Sequence, residues 1–209
     1  MIDWVTISSL ATAAGTLALA VATFMSVQSA NRTARASEKV LLAGLLPVLA
    51  PSRIQDPAEK IRFVDDRWVE VPGGRALCEA TEDVIYLAIS LQNVGQGLAV
   101  LDRWDISQGH SAGDGYRDLS LFRRLKRDIY VPAGSLGFWQ GALRDTNDPA
   151  FAEARSAILE RHPLTIDLLY GDHEGGQRTI SRFFLSPHGE KEWMTSVSRH
   201  WRLDRPNPR

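Results

Sequence analysis

Disulfide bonds and an excess of positive charge are both missing from this sequence. Its 209 residues include one cysteine, Cys78, so these residues cannot form an internal disulfide. Small exported domains often depend on disulfides, and we therefore expect a reducing compartment and a thiol buried as a small apolar side chain. The 24 Lys and Arg residues against 25 Asp and Glu residues argue against a dedicated nucleic-acid binder, because such proteins usually carry a basic surplus.

Charged residues are absent from the stretch between Trp4 and Val27. As an α-helix this stretch would be about 36 Å long, which exceeds the roughly 30 Å thickness of a bilayer's hydrocarbon core. We predict a transmembrane anchor over residues 1–28. A cleaved signal peptide is an alternative, but the first residues carry no Lys or Arg, which a signal peptide normally has. A buried helix of a soluble fold is another, but the stretch lacks a polar face.

The charges beside the anchor predict its orientation. Arg32, Arg35 and Lys39 follow the apolar stretch, and positively charged flanks stay in the cytoplasm. We therefore predict a single-pass protein of the cell (inner) membrane whose C-terminal domain is cytoplasmic. Small residues at helical spacing let membrane helices approach closely, so homo-oligomerisation is a further hypothesis. The residues concerned are Ala11 with Gly15, and Ala14, Ala18 and Ala22.

The residues beyond the anchor divide into a stalk, a domain and a tail. Good helix formers without proline predict a helical stalk over 29–46, which Pro47 ends. Residues 47–203 alternate short β-like runs with turn residues, which predicts a mainly β fold, an immunoglobulin-like two-sheet β-sandwich with one extra helix. A partly open barrel is the alternative. Residues 204–209 include two prolines and are predicted to be a disordered tail.

Turn residues between the apolar runs predict the individual strand pairings. The extra helix is predicted over 148–161, with Asp148 as its N-cap and Pro149 in its first turn. Residues 193–201 are predicted to form a last strand or a short helix. Hairpins are predicted to join 61–64 with 68–71, 84–93 with 98–107, 128–131 with 136–143, and 164–170 with 177–185.

Two segments together resemble a known layout. They run from Arg35 and Glu38 through Leu41-Leu42-Ala43-Gly44-Leu45 to Pro47-Val48-Leu49, and over Leu91-Gln92-Asn93-Val94-Gly95-Gln96-Gly97-Leu98-Ala99. This is similar to bacterial single-pass membrane proteins of unestablished function, in which an N-terminal helix and a charged stalk precede a β domain with an Asn-x-Gly-x-Gly-x-Ala hairpin. The resemblance implies a layout and no activity, and it offers no catalytic residues to transfer.

Two motifs suggest ligand chemistry and are better explained as turns. The glycines after Asn93 would suit a phosphate loop only if a helix followed, and the following residues have the composition of a strand. Asp172, His173 and Glu174 are weak metal-site candidates, since carboxylates and imidazole ligate metals. They lie between two predicted strands, where Asp and Gly are ordinary turn residues. We assign no catalytic residue and no cofactor, and enzyme activity stays open, with a metal-assisted hydrolase as the less favoured alternative.

A basic cluster and the tryptophans complete the candidate residues. Arg123, Arg124, Lys126 and Arg127 are predicted to contact anionic lipid or another polyanion, unless they form a solvated face paired with Asp118 and Asp128. Tryptophans usually anchor a core, and we expect this of most of the domain's five, which are Trp68, Trp104, Trp139, Trp193 and Trp201.

These observations predict a membrane-anchored cytoplasmic interaction or accessory domain with an unidentified protein partner. The alternative is a domain that senses anionic lipid or another polyanion through the basic cluster. Nucleic acid is not expected as a partner, because the chain as a whole has no basic surplus.

Overall fold

A computed structural model describes residues 4–110 and 115–204, and it divides the chain between Ala43 and Gly44 into two compact units. The fold of the second unit is mainly β. The helices are α1 (Trp4–Gly44) and α2 (Pro149–Leu159). The strands are β1 (Leu49–Pro51), β2 (Glu59–Arg62), β3 (Trp68–Val71), β4 (Arg75–Ala80), β5 (Ile85–Asn93), β6 (Ala99–Gln108), β7 (Arg123–Val131), β8 (Leu136–Leu143), β9 (Leu164–Gly171), β10 (Thr179–His188) and β11 (Glu192–Arg202).

Helix α1 is long and apolar enough to span a membrane over Ser8–Glu38, and the described side chains of its apolar part are exposed. Its threonine hydroxyls donate to carbonyls one turn earlier, as in Thr12 to Ser8 O at 2.9 Å and Thr16 to Thr12 O at 2.9 Å. Such bonds satisfy the hydroxyls without water. Among the small residues, the Ala11 side chain lies outside the described part. The other four are exposed and are Ala14, Gly15, Ala18 and Ala22.

Nine strands form one antiparallel sheet that curls on itself. The order of hydrogen-bonded neighbours is β1-β5-β4-β11-β10-β9-β6-β7. Strands β1 and β4 share one edge of β5, and β8 pairs with its other edge. The two end strands, β7 and β8, come together beside the turn that joins them. There a Cβ at Gly137 would lie 2.8 Å from Val131 Cγ2. The sheet therefore approaches a barrel without closing it.

The sheet encloses the main core of the second unit. The core includes Leu87, Trp139 and Phe183, and the apolar face of α2 completes it through Phe151 and Ala157. The separate β2–β3 sheet covers the outside of β5 and β8 with a second cluster. A third cluster lies outside β9 and β10, beneath a 3₁₀ turn at Leu119–Leu121. Because all three clusters belong to the second unit, that unit has its own core.

The predicted pairing of β5 with β6 is wrong. Both edges of β5 are occupied, one by β8 and the other by β4 and β1. The turn between β5 and β6 bonds instead to the segment that leads into β1, with the Val94 N–H donating to Val48 O at 2.8 Å and the Gln96 N–H to Leu46 O at 3.2 Å. Strand β6 therefore crosses to pair with β9 and β7.

The predicted pairing of 128–131 with 136–143 is also wrong, although the turn between them is present. Gly134 has a positive φ of 70°, and the Ser135 N–H donates to Pro132 O at 3.1 Å. Strand β7 pairs with β6, and β8 pairs with β5, and within the described residues no ladder joins β7 to β8. Beyond the turn the two strands diverge, because β7 follows β6 and β8 follows β5.

The remaining elements agree with the sequence more closely. The structure confirms the β2–β3 and β9–β10 hairpins and helix α2 with its Asp148 cap. Of the two alternatives for residues 193–201, the strand is the one that forms. Helix α1 ends at Gly44 rather than at residue 46. Strand β4 was not predicted. Of the five domain tryptophans, Trp68 is exposed and the other four are buried in the apolar clusters. Residues 205–209 of the predicted tail lie outside the described residues.

Candidate functional site

Two residues of the basic cluster, Lys126 and Arg127, lie in a bulge of β7, and the other two lie directly before it. Leu101 of β6 is opposite Ile129, and Arg103 is opposite Arg124, so Asp102 alone faces the four residues 125–128. Bulges bend a strand and redirect its side chains, and they are frequent beside functional sites. In this bulge the Leu125 side chain packs against the main core, while Lys126 and Arg127 are exposed. The bulge therefore presents cations to solvent.

A groove opens where β7 and β8 diverge from their connecting turn. Its volume is about 460 Å³, within the range of ligand sites. We call it the basic groove and define it by its walls, 123–127 of β7 and 140–145 at the end of β8. Trp104 lines it from the core side, with its ring edge-on to Trp139 at 5.2 Å between centroids. The groove thus combines an aromatic surface with charged walls.

Positive charge dominates the walls of the basic groove. Five Arg or Lys side chains line it against two Asp side chains. Arg124 is 83% exposed and lies 3.9 Å from Asp102, its nearest carboxylate. Arg127 donates to the Arg62 backbone carbonyl at 3.0 Å, and neither it nor Lys126 has a carboxylate partner among the described residues. Arg124, Lys126 and Arg127 are therefore only weakly neutralised.

Arg123 has a structural role within the cluster. It donates to Asp148 Oδ2 at 2.7 Å and to Asp105 Oδ1 at 3.3 Å, and its guanidinium lies over the Trp104 ring. Burial alone would raise the pKa of Asp148, but the hydrogen bonds from Arg123 and the Ala150 N–H hold that pKa below its usual value. Burial raises the pKa of Asp105, against the effect of Arg117 at 2.7 Å. The expected partners Asp118 and Asp128 are not the ones used.

A buried amide in the groove has an unused acceptor. Gln140 is buried, lines the basic groove, and has no hydrogen-bond partner for Oε1 among the described residues. An unsatisfied buried polar group costs about 1–3 kcal/mol. Sequence reasoning missed Gln140, because nothing in an alternating strand marks which polar side chain will lack a partner. A ligand that donates a hydrogen bond here would remove this cost.

A second exposed surface adjoins the basic groove on the β2–β3 hairpin. Val64 is 69% exposed and Trp68 is 65% exposed. They line a shallow depression of about 420 Å³ together with Lys60, Arg62 and Arg127. We call this the hairpin surface. A large aromatic side chain beside cations is typical of a protein that meets a polar–apolar interface.

The weak metal candidates form a turn instead of a site. Asp172 is buried, and its Oδ1 accepts from the Glu174 N–H at 3.0 Å and from the Gly176 N–H at 2.8 Å. This is an Asx-type turn in which the carboxylate serves the backbone. In the described part of the chain, no group of three or more His, Cys, Asp or Glu side chains is arranged to hold a metal ion.

The turn after Asn93 also has a structural explanation. Gly95 and Gly97 pass so close to the backbone of residues 45–48 that a Cβ at either position would overlap it. A strand follows the turn, whereas a phosphate loop would require a helix there. The glycines are therefore needed for close approach between two chain segments.

Two further groups have reactive side chains but no access for a substrate. Ser181 Oγ lies 2.6 Å from His200 Nδ1 and 2.7 Å from Tyr170 Oη, an arrangement that sequence reasoning missed. Ser181 is fully buried, so its hydroxyl cannot meet a substrate. Burial raises the pKa of the Cys78 thiol well above its usual value, which keeps it protonated and unreactive. The expectation of a buried thiol is confirmed.

No protein-family model, no curated protein and no solved structure matches this chain. The basic groove and the hairpin surface are therefore the features that bear on function.

Proposed function

We propose that this chain is a membrane-anchored accessory protein whose β domain binds an anionic partner in the basic groove. The observation that carries the proposal is the set of weakly neutralised cations along a groove with an aromatic surface. Exposed charges of one sign steer an oppositely charged partner and select it. The immunoglobulin-like relationship of the curled sheet stays a prediction, and the proposal does not depend on it.

The proposed location follows from α1. We infer a bacterial single-pass protein of the inner membrane with the β domain in the cytoplasm. The apolar length of Ser8–Glu38 supports the anchor, and the cations Arg32, Arg35 and Lys39 support the orientation. A partner would then be recruited to the membrane surface. The bacterial arrangement that the sequence resembles has this same proposed layout, and that resemblance stays a prediction.

Charge reversal at the groove tests the function. The full chain would carry Lys126→Glu and Arg127→Glu, and the matched control would carry Arg53→Glu and Lys191→Glu, two exposed cations outside the groove. Crosslinking in native membranes, followed by mass spectrometry, compares both variants with the unaltered chain. We expect a protein that is captured by the chain and its control variant and is lost from the groove variant. Equal capture by all three would reject the groove as the binding site.

Contact with an anionic bilayer is a second candidate, favoured by the hairpin surface. Trp68 is exposed there beside Lys60 and Arg62, and each cation near an anionic surface contributes about 1 kcal/mol. Residues 44–209 would be mixed with phosphatidylserine vesicles while tryptophan fluorescence is recorded. Since Trp68 is exposed and the other tryptophans of this unit are buried, a blue shift that disappears in Trp68→Phe would support the contact. An unchanged spectrum would reject it.

A further inference from the structure

We propose that an extended acidic segment of a partner protein binds in the basic groove as an added strand between β7 and β8. This inference rests on the proposed function and specifies how the groove recognises its partner. It follows from the strand edges, the length, the charge and the unsatisfied amide of the groove.

The facing edges of β7 and β8 are available for pairing. Each strand has one edge in a ladder, β8 with β5 along its whole length and β7 with β6 on either side of the bulge at 125–128. In an antiparallel ladder, alternate residues direct their N–H and C=O groups away from the partner. Within the described residues no backbone bond joins β7 to β8. Unpaired groups of this kind are a template for an incoming strand.

The length of the groove walls fits a short strand. The walls are five residues of β7, 123–127, and the neighbouring residues 140–144 that begin within β8. Five residues at a rise of about 3.3 Å give a segment roughly 13 Å long between its first and last Cα atoms. Near the turn the slot closes, where Val131 approaches Gly137. The added strand would therefore enter at the open end of the slot.

The side chains of the groove specify an alternating segment. Successive residues of a strand point to opposite faces, so one set would face Trp104 on the core side and the other set would face the outer side, where Arg127 bonds to the Arg62 carbonyl of β2. Apolar residues suit the first set and Asp or Glu suits the second. Gln140 Oε1 accepts one N–H of the segment, which satisfies a buried acceptor that has no partner among the described residues.

A membrane fits the groove less well than a peptide does. A bilayer surface supplies phosphate and carboxylate charge but no backbone N–H and C=O groups for two strand edges. The slot also lies between two strands of the sheet, whereas lipid contact uses projecting side chains such as Trp68. We therefore propose a peptide as the occupant, and binding of anionic lipid is one of the results that the experiment below distinguishes.

The experiment uses the full chain in phosphatidylcholine nanodiscs and a fluorescent eight-residue peptide that alternates glutamate with valine. We expect binding with a Kd below about 1 mM. The Lys126→Glu, Arg127→Glu variant should bind at least about tenfold more weakly, while the Arg53→Glu, Lys191→Glu control should bind as the unaltered chain does. A peptide that alternates lysine with valine should also lose about tenfold or more.

A backbone-modified peptide separates strand addition from simple charge attraction. Methylation of alternate amide nitrogens keeps every charge and removes donors from one edge, and methylation of the other alternate set removes donors from the opposite edge. We expect both modified peptides to lose about tenfold or more. Equal binding of all three peptides would overturn strand addition while leaving charge recognition, and so the proposed function, intact.

Two other outcomes also overturn the inference. Absence of peptide binding up to about 1 mM rejects an added strand of this chemistry, whatever the crosslinking experiment yields. Binding to phosphatidylserine vesicles that the groove charge reversal abolishes, without peptide binding, assigns the groove to lipid. Failure of the proposed function is distinct, because it appears as equal crosslinking by the groove variant and its control.

Discussion

Asn93 uses every hydrogen-bonding group of its side-chain amide. Its Nδ2 donates to Gly97 O at 2.7 Å and to Val131 O at 2.9 Å. Its Oδ1 accepts from the Val48 N–H at 3.1 Å and from the Gly95 N–H at 3.0 Å. The residue is fully buried. One side chain therefore joins the entry to β1, the β5–β6 turn and the end of β7.

Replacement of Asn93 by aspartate should destabilise the domain by about 2–4 kcal/mol. An ionised carboxylate would replace the donor Nδ2 with an oxygen that faces two carbonyl oxygens and cannot donate a hydrogen bond to either. Its negative charge would also be buried. Gln96→Glu is the matched control, since it adds the same charge at an exposed position of the same turn. Urea unfolding followed by circular dichroism measures both variants. Similar losses for the two would contradict the role of the amide.

The ion pair between Arg178 and Asp204 predicts a pH dependence. Arg178 donates to Asp204 Oδ1 at 2.7 Å, and this hydrogen bond lowers the pKa of Asp204. A carboxyl whose folded-state pKa is below its unfolded value stabilises above about pH 4, and this contribution disappears as pH falls through the folded-state pKa. Asp204→Asn should cost up to about 1 kcal/mol at pH 7, since the pair is half-exposed.

Thermal unfolding at pH 7 and at pH 3 measures this effect. We expect the difference in Tm between Asp204→Asn and the unaltered domain to shrink at pH 3, where the Asp204 carboxyl gains protons. A difference that stays constant between the two pH values would show that the substitution acts through packing instead of charge.

At the scale of elements, the β5–β6 turn depends on the absence of side chains. A Cβ at Gly97 would fall deep inside the van der Waals radius of Leu45 O, a backbone atom that cannot rotate away. Gly97→Ala should therefore cost about 1–3 kcal/mol, as other overpacked sites do. Gly115→Ala is the control, because its Cβ would meet no atom of the described residues within 4 Å. Denaturant unfolding of the two variants decides the matter, and equal stability would contradict the close approach.

Local patterns predicted elements well and predicted long-range pairing poorly. The turn residues around Asp66 and after Asp172 identified two hairpins because such turns are decided by their own sequence. The turn after Asn93 looked similar, but its hydrogen bonds go to residues 46 and 48, far away in the chain. Composition cannot reveal such a partner. The same limit left the pairings of β7 and β8 wrong.

The candidate site could be predicted only in part for a related reason. Four cations within five residues are visible in the sequence, and the structure brings them to one groove wall. The role of Arg123 in bonding to Asp105 and Asp148, and the unsatisfied acceptor of Gln140, depend on how strands align across the sheet. Strand register is set by tertiary packing, so these features required the fold.

At the scale of the whole molecule, the two compact units predict separable behaviour. The second unit contains all three apolar clusters, while the described side chains over Ser8–Glu38 are exposed. Residues 44–209 alone should therefore be soluble and should unfold cooperatively. The full chain should sediment with membranes and resist extraction by alkaline carbonate. Full recovery of the intact chain in the high-speed supernatant would contradict the anchor.

Protease protection tests the proposed orientation of the same chain. Arg32, Arg35 and Lys39 lie just beyond the apolar stretch, and the unfavourable transfer of such cations across a membrane is the basis of the proposed cytoplasmic orientation. In intact spheroplasts the β domain should survive added proteinase K, and lysis should expose it. Because a folded β domain can resist protease by itself, a flexible cleavable linker fused after residue 209 serves as the reporter. Cleavage of this linker in intact spheroplasts would reverse the topology and remove the basic groove from cytoplasmic partners.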